Sequence, residues 1–426
     1  MNIFWFRRDL RLEDNTALSH ALESGEDVLP IFIFDQCILD KLPKNDPRVN
    51  FIFDRLKKIN NSLSVYDSGI KIFKGDVELI WTEITGKFNV TKVFFNHDYE
   101  PYARERDEKI FNFLKGKGIE VKNFKDQVVF EKKEIVKKDG LPYTVFTPFK
   151  NKWIERYNSE GLVTNPEKNF SNLYKFQQNF PEKESLEIEV NDKKVKEWNT
   201  SEIETYEETR NFPSLNSTSY LGPHLRFGTV SIRQLVKAAE KRSSTFLSEL
   251  IWREFFMQII WNFPQSATNN FKPKYNRIEW RTNVNEFENW CKGETGYPIV
   301  DAGMRELNET GYMHNRVRMI TAGFLVKHLL IDWRWGEAYF AEKLLDFELS
   351  SNVGNWQWAA GTGCDSAPYF RVFNPYEQVK KFDKELKYIN KWVPEHQELT
   401  YIKPIVEHKF ARERAISTYK TGLKSF

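Results

Sequence analysis

The chain reads as an α/β domain, an open parallel sheet with helices on both faces, followed by an all-α domain. Three observations carry that reading. Short β-branched and aromatic runs alternate with amphipathic segments through the first 130 residues. The pattern then dissolves into Lys, Glu, Asn and Ser. After about residue 200 apolar residues recur at helical spacing.

Strands are predicted at 3–6, 28–34, 70–73, 92–96 and 121–130, with helices between them at 15–22, 47–63, 77–88 and 104–115. That alternation predicts right-handed crossovers and a parallel sheet covered on both sides. Residues 131–200, punctuated by Gly140-Leu141-Pro142 and Asn165-Pro166, predict a long surface connection. Helices are predicted from Ser231, a good N-cap, to Arg242, then at 244–263, 304–309, 315–330, 337–345 and 375–389. The expected division is therefore 1–130, a connection over 131–200, and 201–426.

Composition narrows the class. No apolar run approaches the roughly 20 residues that span a bilayer, and the N-terminus does not resemble a signal peptide, so a cytoplasmic protein is expected. Cys37, Cys291 and Cys364 are scattered, which argues against a disulfide framework, and the seven histidines show no metal spacing, so no metal is expected. The net charge is +3, with all of the surplus after residue 200. That balance gives only a hint of nucleic acid. The first strand is not followed by GxGxxG, and neither GxxxxGK[ST] nor GxSxG occurs.

Four segments stand out. Glu249, Trp252, Arg253 and Phe256 fall at i, i+3, i+4 and i+7, on one face of a helix whose apolar face is already supplied by Leu250, Ile251, Phe255 and Ile259. They predict a polar, aromatic cavity wall, against the plainer reading of a core face with one ion pair. In Gly311-Tyr-Met-His-Asn-Arg-Val-Arg-Met319, the residues Asn315, Arg318, Met319 and Ala322 repeat that spacing, and two arginines near a helix start suit an anion or a heteroaromatic edge. Trp356 and Trp358 lie in a stretch rich in small residues that reads as a loop, where both would face one way and stack on a flat ligand. Thr218-Ser-Tyr-Leu-Gly222 offers hydroxyl and backbone donors suited to phosphate.

These segments, in this order, resemble the photolyase/cryptochrome family and, within it, the class I cyclobutane pyrimidine dimer photolyases. Phe4-Trp-Phe-Arg-Arg-Asp-Leu-Arg-Leu12, Thr147-Pro-Phe-Lys-Asn-Lys-Trp153, Glu249-Leu-Ile-Trp-Arg-Glu-Phe255, Thr295-Gly-Tyr-Pro-Ile-Val-Asp301, Met313-His-Asn-Arg-Val-Arg-Met319 and Tyr369-Phe-Arg-Val-Phe-Asn-Pro375 extend the likeness nearly end to end. The resemblance implies an antenna-type α/β domain, a helical domain holding FAD, and light-driven repair of ultraviolet-damaged DNA by a monomer.

Residue by residue, it implies that Tyr206, Thr218, Ser219, Leu221 and Gly222 lie at the flavin phosphates. Arg253, Asn315, Arg318, Asp346, Glu348 and Asn352 would surround the rings and ribose. Gly222 stands where some relatives carry serine, which removes one donor, and Phe246 and Tyr312 stand where some carry tryptophan. Trp252, Trp358 and Met319 would receive a dimer flipped from the stack. Glu249 would hydrogen-bond its edge and steady developing charge. Asn352 would favour reduced flavin, Arg210, Arg316 and Arg371 would meet phosphates, and Trp356, Trp333 and Trp280 would form an electron chain.

Tyr99-Glu100-Pro101 is followed by Tyr102-Ala103 where folate-binding relatives have Asn-Glu. The resemblance therefore does not extend to a folate antenna, and the identity of any antenna chromophore stays open. The alternative is a cryptochrome-type light receptor without repair. A (6-4) photolyase fits less well, since that branch places adjacent histidines where His314 is followed by Asn315.

Overall fold

The computed structural model describes every residue except 166–168, 177–178 and 425–426. Pro166, half of one predicted breaker, lies outside the described residues. The chain forms two compact units: Met1–Ile135, Asn151–Trp198 and Tyr220–Lys241 in the first, and Val136–Lys150, Asn199–Ser219 and Arg242–Phe426 in the second. This partition is more interleaved than a single connection over 131–200. That segment carries a regular helix, Phe146–Glu160, whose first turn belongs to the second unit and the remainder to the first.

In the N-terminal unit five strands, β1 (Asn2–Phe6), β2 (Val28–Asp35), β3 (Lys71–Gly75), β4 (Lys92–Asn96) and β5 (Glu120–Phe124), form one parallel sheet in the order β3-β2-β1-β4-β5. The predicted last strand ran to Phe130, but pairing stops at Phe124. Alternation along the strands decides what covers each face. Phe4, Phe6, Phe32 and Phe34 pack with Leu18, Phe53 and Leu56 of helices Thr16–Leu22 and Pro47–Ser64. Ile3, Trp5, Ile31 and Ile33 pack with Ile80, Trp81, Ile110 and Leu114 of helices Val77–Lys87 and Pro101–Gly116. Burial on both faces explains why β1 and β2 read as unbroken apolar runs. Helix Ile232–Arg242 returns to this unit through charge: Arg233 binds Asp14 at 2.9 Å and Asp126 at 2.8 Å, and Arg11 binds Asp126 at 2.7 Å. Burial raises the Asp126 carboxyl, yet the two guanidiniums outweigh it and hold it down to about 2.

The C-terminal unit is helical. Ser244–Asn262, Pro298–Thr310, Asn315–Gly323, Trp333–Lys343 and Leu349–Ala360 are its longer inner elements. Its core includes Trp290, Tyr297, Leu325, Trp333, Phe340 and Trp356. The predicted helix 315–330 leaves α geometry at Gly323 and passes through a π turn, Phe324–His328. Residues 375–389 divide into Pro375–Phe382 and Lys387–Trp392, with Asp383 accepting from the backbone N–H groups of Tyr388 and Ile389. Among the described residues no helix is long and apolar enough to cross a membrane.

The clearest correction concerns 346–363, read as a loop. Residues Leu349–Ala360 are a helix, so Trp356 and Trp358 leave it on nearly opposite sides, about 200° apart. The glycines that suggested a loop serve close packing instead. A Cβ on Gly354 would lie 2.2 Å from the Phe256 ring, and one on Gly336 2.1 Å from the Trp356 ring. Gly336→Ala should therefore overpack this contact and lower stability by about 1–3 kcal/mol. Thermal or urea denaturation checks this, and an unchanged midpoint would mean that Trp356 is freer than its surroundings imply.

Candidate active site

The site develops along helix Ser244–Asn262, N-capped by Ser243, whose hydroxyl accepts from the Phe246 N–H. Of its predicted polar face, Glu249, Trp252 and Arg253 are partly exposed, whereas Phe256 is buried in the packing. Glu249 pairs with Arg210 at 2.7 Å, and both side chains remain about 30% exposed. Arg253 pairs with Glu348 at 3.3 Å, where both are nearly buried, and the Ser351 hydroxyl donates to the other Glu348 oxygen at 3.1 Å. Trp252 is half-buried, with one face stacked on Phe146 at 3.6 Å and 8°. Phe256 fills the notch at Gly354.

The second segment begins at His314, which N-caps helix Asn315–Gly323 by accepting from the Arg316 N–H. Arg318 pairs with Asp346 at 2.9 Å and also donates to the Met313 carbonyl. Arg316 donates to the Asn211 side-chain oxygen at 2.5 Å, and its guanidinium lies over the Phe382 ring. Met319 is half-buried beside Arg316, whereas Asn315 is exposed. Asn352 is buried and donates to a Glu337 carboxylate oxygen at 2.8 Å.

The sequence-derived residues thus gather unevenly. Helices Ser244–Asn262, Asn315–Gly323, Trp333–Lys343 and Leu349–Ala360, with the turn at 346–348, bring together three pairs: Arg253–Glu348, Arg318–Asp346 and Asn352–Glu337. Tyr206 packs edge-on against Phe246, and Thr218 and Ser219 are half-buried. Leu221 and Gly222 open a short helix in the N-terminal unit, the first buried and the second exposed. Arg371 is exposed. Trp356 is buried against Phe340 and Trp290 at 5.0 and 6.1 Å, and Trp333 is buried with its indole N–H on Asn270. Trp280 packs at the margin of the same core, edge-on to Tyr419. Trp358 is half-buried.

Three partners were not legible. Phe146 fell in the presumed connection, one residue before the Thr147–Trp153 motif of the resemblance. Asn211 and Glu337 carry no sequence signal, since an isolated polar residue gives no spacing to read.

Electrostatics follow from burial. Burial raises the Glu249 carboxyl above its ordinary range, and Arg210 opposes that rise. Burial, with Glu249 nearby, pushes the Tyr206 phenol up to about 12. Burial raises Glu337 against the hydrogen bond from Asn352. Eight buried side-chain polar atoms among the described residues have no partner within the protein, and three of them, Asp346 Oδ1, Ser350 Oγ and Arg316 Nε, lie on the segments described above. Such atoms are costly in an apolar helical unit unless something satisfies them. A cofactor with a heteroaromatic edge and a polyhydroxylated chain fits an unspent carboxylate oxygen and hydroxyl on the 346–352 segment.

His314 gives a pH test. Burial, then Arg318 and Arg316, depress its imidazole to about 4, so the folded state holds it neutral. The unfolded chain takes up a proton as pH falls below about 6.5, the ordinary histidine value, while the folded chain does not. Stability is therefore lost between about pH 6.5 and 4. His314→Asn keeps a cap acceptor and should make the fall in melting temperature over that range shallower; an equal slope would place the titration elsewhere.

Residues 2–168 match the family model described as DNA photolyase, and residues 246–400 match the FAD binding domain of DNA photolyase. The deoxyribodipyrimidine photo-lyase of Vibrio cholerae is 35% identical over 99% of this chain and 100% of its own, and that of Escherichia coli is 35% identical over 99% of each. Among solved structures, a bacterial class III photolyase from Agrobacterium tumefaciens superposes with a TM-score of 0.86 at 32% identity, covering 99% of this chain and 98% of that one. An archaeal photolyase from Sulfolobus tokodaii, described with two FAD molecules, gives 0.85 at 34% identity, covering 99% and 100%. A cryptochrome of Synechocystis gives 0.81 at 25% identity, covering 98% and 99%.

Proposed function

This chain belongs to the DNA photolyase family of FAD-dependent enzymes, and we propose that it repairs cyclobutane pyrimidine dimers in ultraviolet-damaged DNA under blue light, as a class I enzyme. The observation that carries this reading is the Glu249–Trp252 face. A carboxylate and a half-exposed indole lie one turn apart, and Arg210 and Arg316 bring cationic groups to that side of the unit.

The flavin, when bound, supplies one electron to the lesion under light. The protein's part is to hold and exclude. Arg253 and Arg318, each committed to a carboxylate, would donate to a ring edge and ribose, Asp346 and Glu348 would accept from them, and the Asn315 amide could do either. Tyr206, Thr218 and Ser219 suit the phosphates. Asn352 spends its amide nitrogen on Glu337, so the amide offers its oxygen, an acceptor, which favours a reduced flavin carrying an N–H. Trp356, Trp333 and Trp280 belong to one aromatic core and would pass electrons inward from the surface. Trp252, Met319 and Trp358 would pack around the flipped dimer. Glu249 would hydrogen-bond the pyrimidine edge and stabilise charge arriving there, a preorganised interaction. Arg210, Arg316 and Arg371 would meet the flanking phosphates.

The direct test is repair of dimer-containing oligothymidine by purified, fully reduced protein under blue light. Restored absorbance at the thymine band supports the reading; a bound flavin without repair would favour a light receptor instead. Trp252→Ala should weaken binding of damaged over undamaged DNA by about 1–3 kcal/mol, the worth of one base stack, with flavin retained. Equal weakening for both DNAs would remove Trp252 from the lesion pocket.

A further inference from the structure

The 206–211 segment offers an inference about how the site is armed. Arg210 closes the short helix Tyr206–Thr209 and points its guanidinium both over the Tyr206 ring and onto Glu249, 2.7 Å away. The next residue, Asn211, receives Arg316. Arg210 and Arg316 are close enough that the charge of the first, added to burial, lowers the proton affinity of the second. Glu249 is the carboxylate paired with Arg210, and Arg316 meets a neutral amide while its Nε is buried without a partner. The groups facing Glu249 from neighbouring elements are therefore Arg210 and Tyr206, with Arg316 behind them. On its own helix, Arg253 is committed to Glu348.

This cluster has one cation more than it can neutralise and one donor unmet. It is poised for a single anion. An incoming phosphate offers Arg210 a second acceptor, and the Arg210–Glu249 pair is exposed enough, at 27% and 32%, for the exchange to occur through water. Held by Arg210, Glu249 has its Oε1 engaged and its charge compensated, so it meets a base edge as a weaker acceptor than the freed carboxylate would be.

We propose that Arg210 is a positioning residue that latches Glu249 in the DNA-free enzyme and passes to a backbone phosphate when DNA binds, freeing Glu249 for the lesion. The latch rests on the repair reading for the identity of the base edge, but its core is an exchange between a carboxylate and a phosphate for one guanidinium. The exchange sets a threshold. Undamaged DNA must displace Glu249 and gives it nothing in return, whereas a flipped lesion supplies a new partner. Part of the discrimination between the two DNAs thus comes from the cost of opening the pair. No bond is made or broken, and the only proton at issue is one that solvent can supply to a Glu249 left without its cation.

The experiment measures binding of undamaged single-stranded oligothymidine in the dark, with the full-length, flavin-loaded protein. Glu249→Gln should bind it about two- to fivefold more tightly than wild type, the factor expected from releasing a partly exposed ion pair. In an Arg210→Gln background the same change should have no effect, and Arg210→Lys should restore part of it. A similar gain in both backgrounds would mean that Glu249 merely repels DNA at long range, and would overturn the latch, as would no gain at all. Should Glu249→Gln lose flavin, Glu249→Asp gives the same comparison, because its carboxylate stops one methylene short of Arg210. Repair is scored separately. Non-additive binding with no repair of dimers overturns the repair reading alone, while repair with additive binding overturns the latch alone.

Discussion

Close contact at two glycines organises the C-terminal unit. Gly354 lets helix Leu349–Ala360 receive the Phe256 ring, and Gly336 lets Trp356 sit against helix Trp333–Lys343, with no room for a methyl group at either place. Interiors this dense transmit position from one element to the next. The first contact locks the 349–360 helix to the 244–262 helix and brings Glu348 to Arg253. The second fixes the same helix to its other neighbour and brings Asn352 to Glu337. The polar wall of the site is therefore a consequence of apolar packing: the pairs form because the backbones can approach, and they are short because nothing intervenes.

Charge placed in such a wall has to be balanced locally. Arg253 with Glu348 and Arg318 with Asp346 are matched pairs, and each joins two elements distant in sequence. The match is incomplete at Asp346 Oδ1 and Ser350 Oγ, on adjoining turns. Both atoms lie beside Glu348 and Asn352, among the residues proposed to hold the cofactor, which would give them partners. The N-terminal unit shows a second case. Arg11 and Arg233 both pair with Asp126, and Arg233 also with Asp14, a buried cluster in which Arg11 Nε alone is left without a partner.

Much of this was legible because periodicity reports burial. The doubly covered sheet followed from runs such as residues 28–34, without a polar position since both faces are covered. The Glu249–Phe256 face followed from spacing alone. The glycine-rich tract at 354–363 misled because glycine has two uses, turning the backbone and admitting a neighbour, and a sequence does not separate them. Gly354 and Gly336 belong to the second kind. Gly296, at φ 75° and with no space beside the Lys403 backbone, needs both. The interleaving of the units was equally hidden, since helix Phe146–Glu160 sits in a polar stretch whose few aromatics divide between two cores.

The motif Thr295–Asp301 illustrates what a family likeness does and does not tell. It was one of the motifs that carried the resemblance, and no ligand role was attached to it. Asp301 accepts from the Thr295 N–H and hydroxyl, the Gly296 N–H and the Tyr401 hydroxyl, and burial raises its carboxyl against those bonds. One buried carboxylate thus ties the start of helix Pro298–Thr310 to the segment near Tyr401. Asp301 and Glu249 are both buried enough to be raised, but they differ in what answers the charge. Asp301 is surrounded by fixed neutral donors that have no alternative partner. Glu249 is held by one partly exposed cation that a phosphate could also engage, and a carboxylate of that kind can change its allegiance when a ligand arrives.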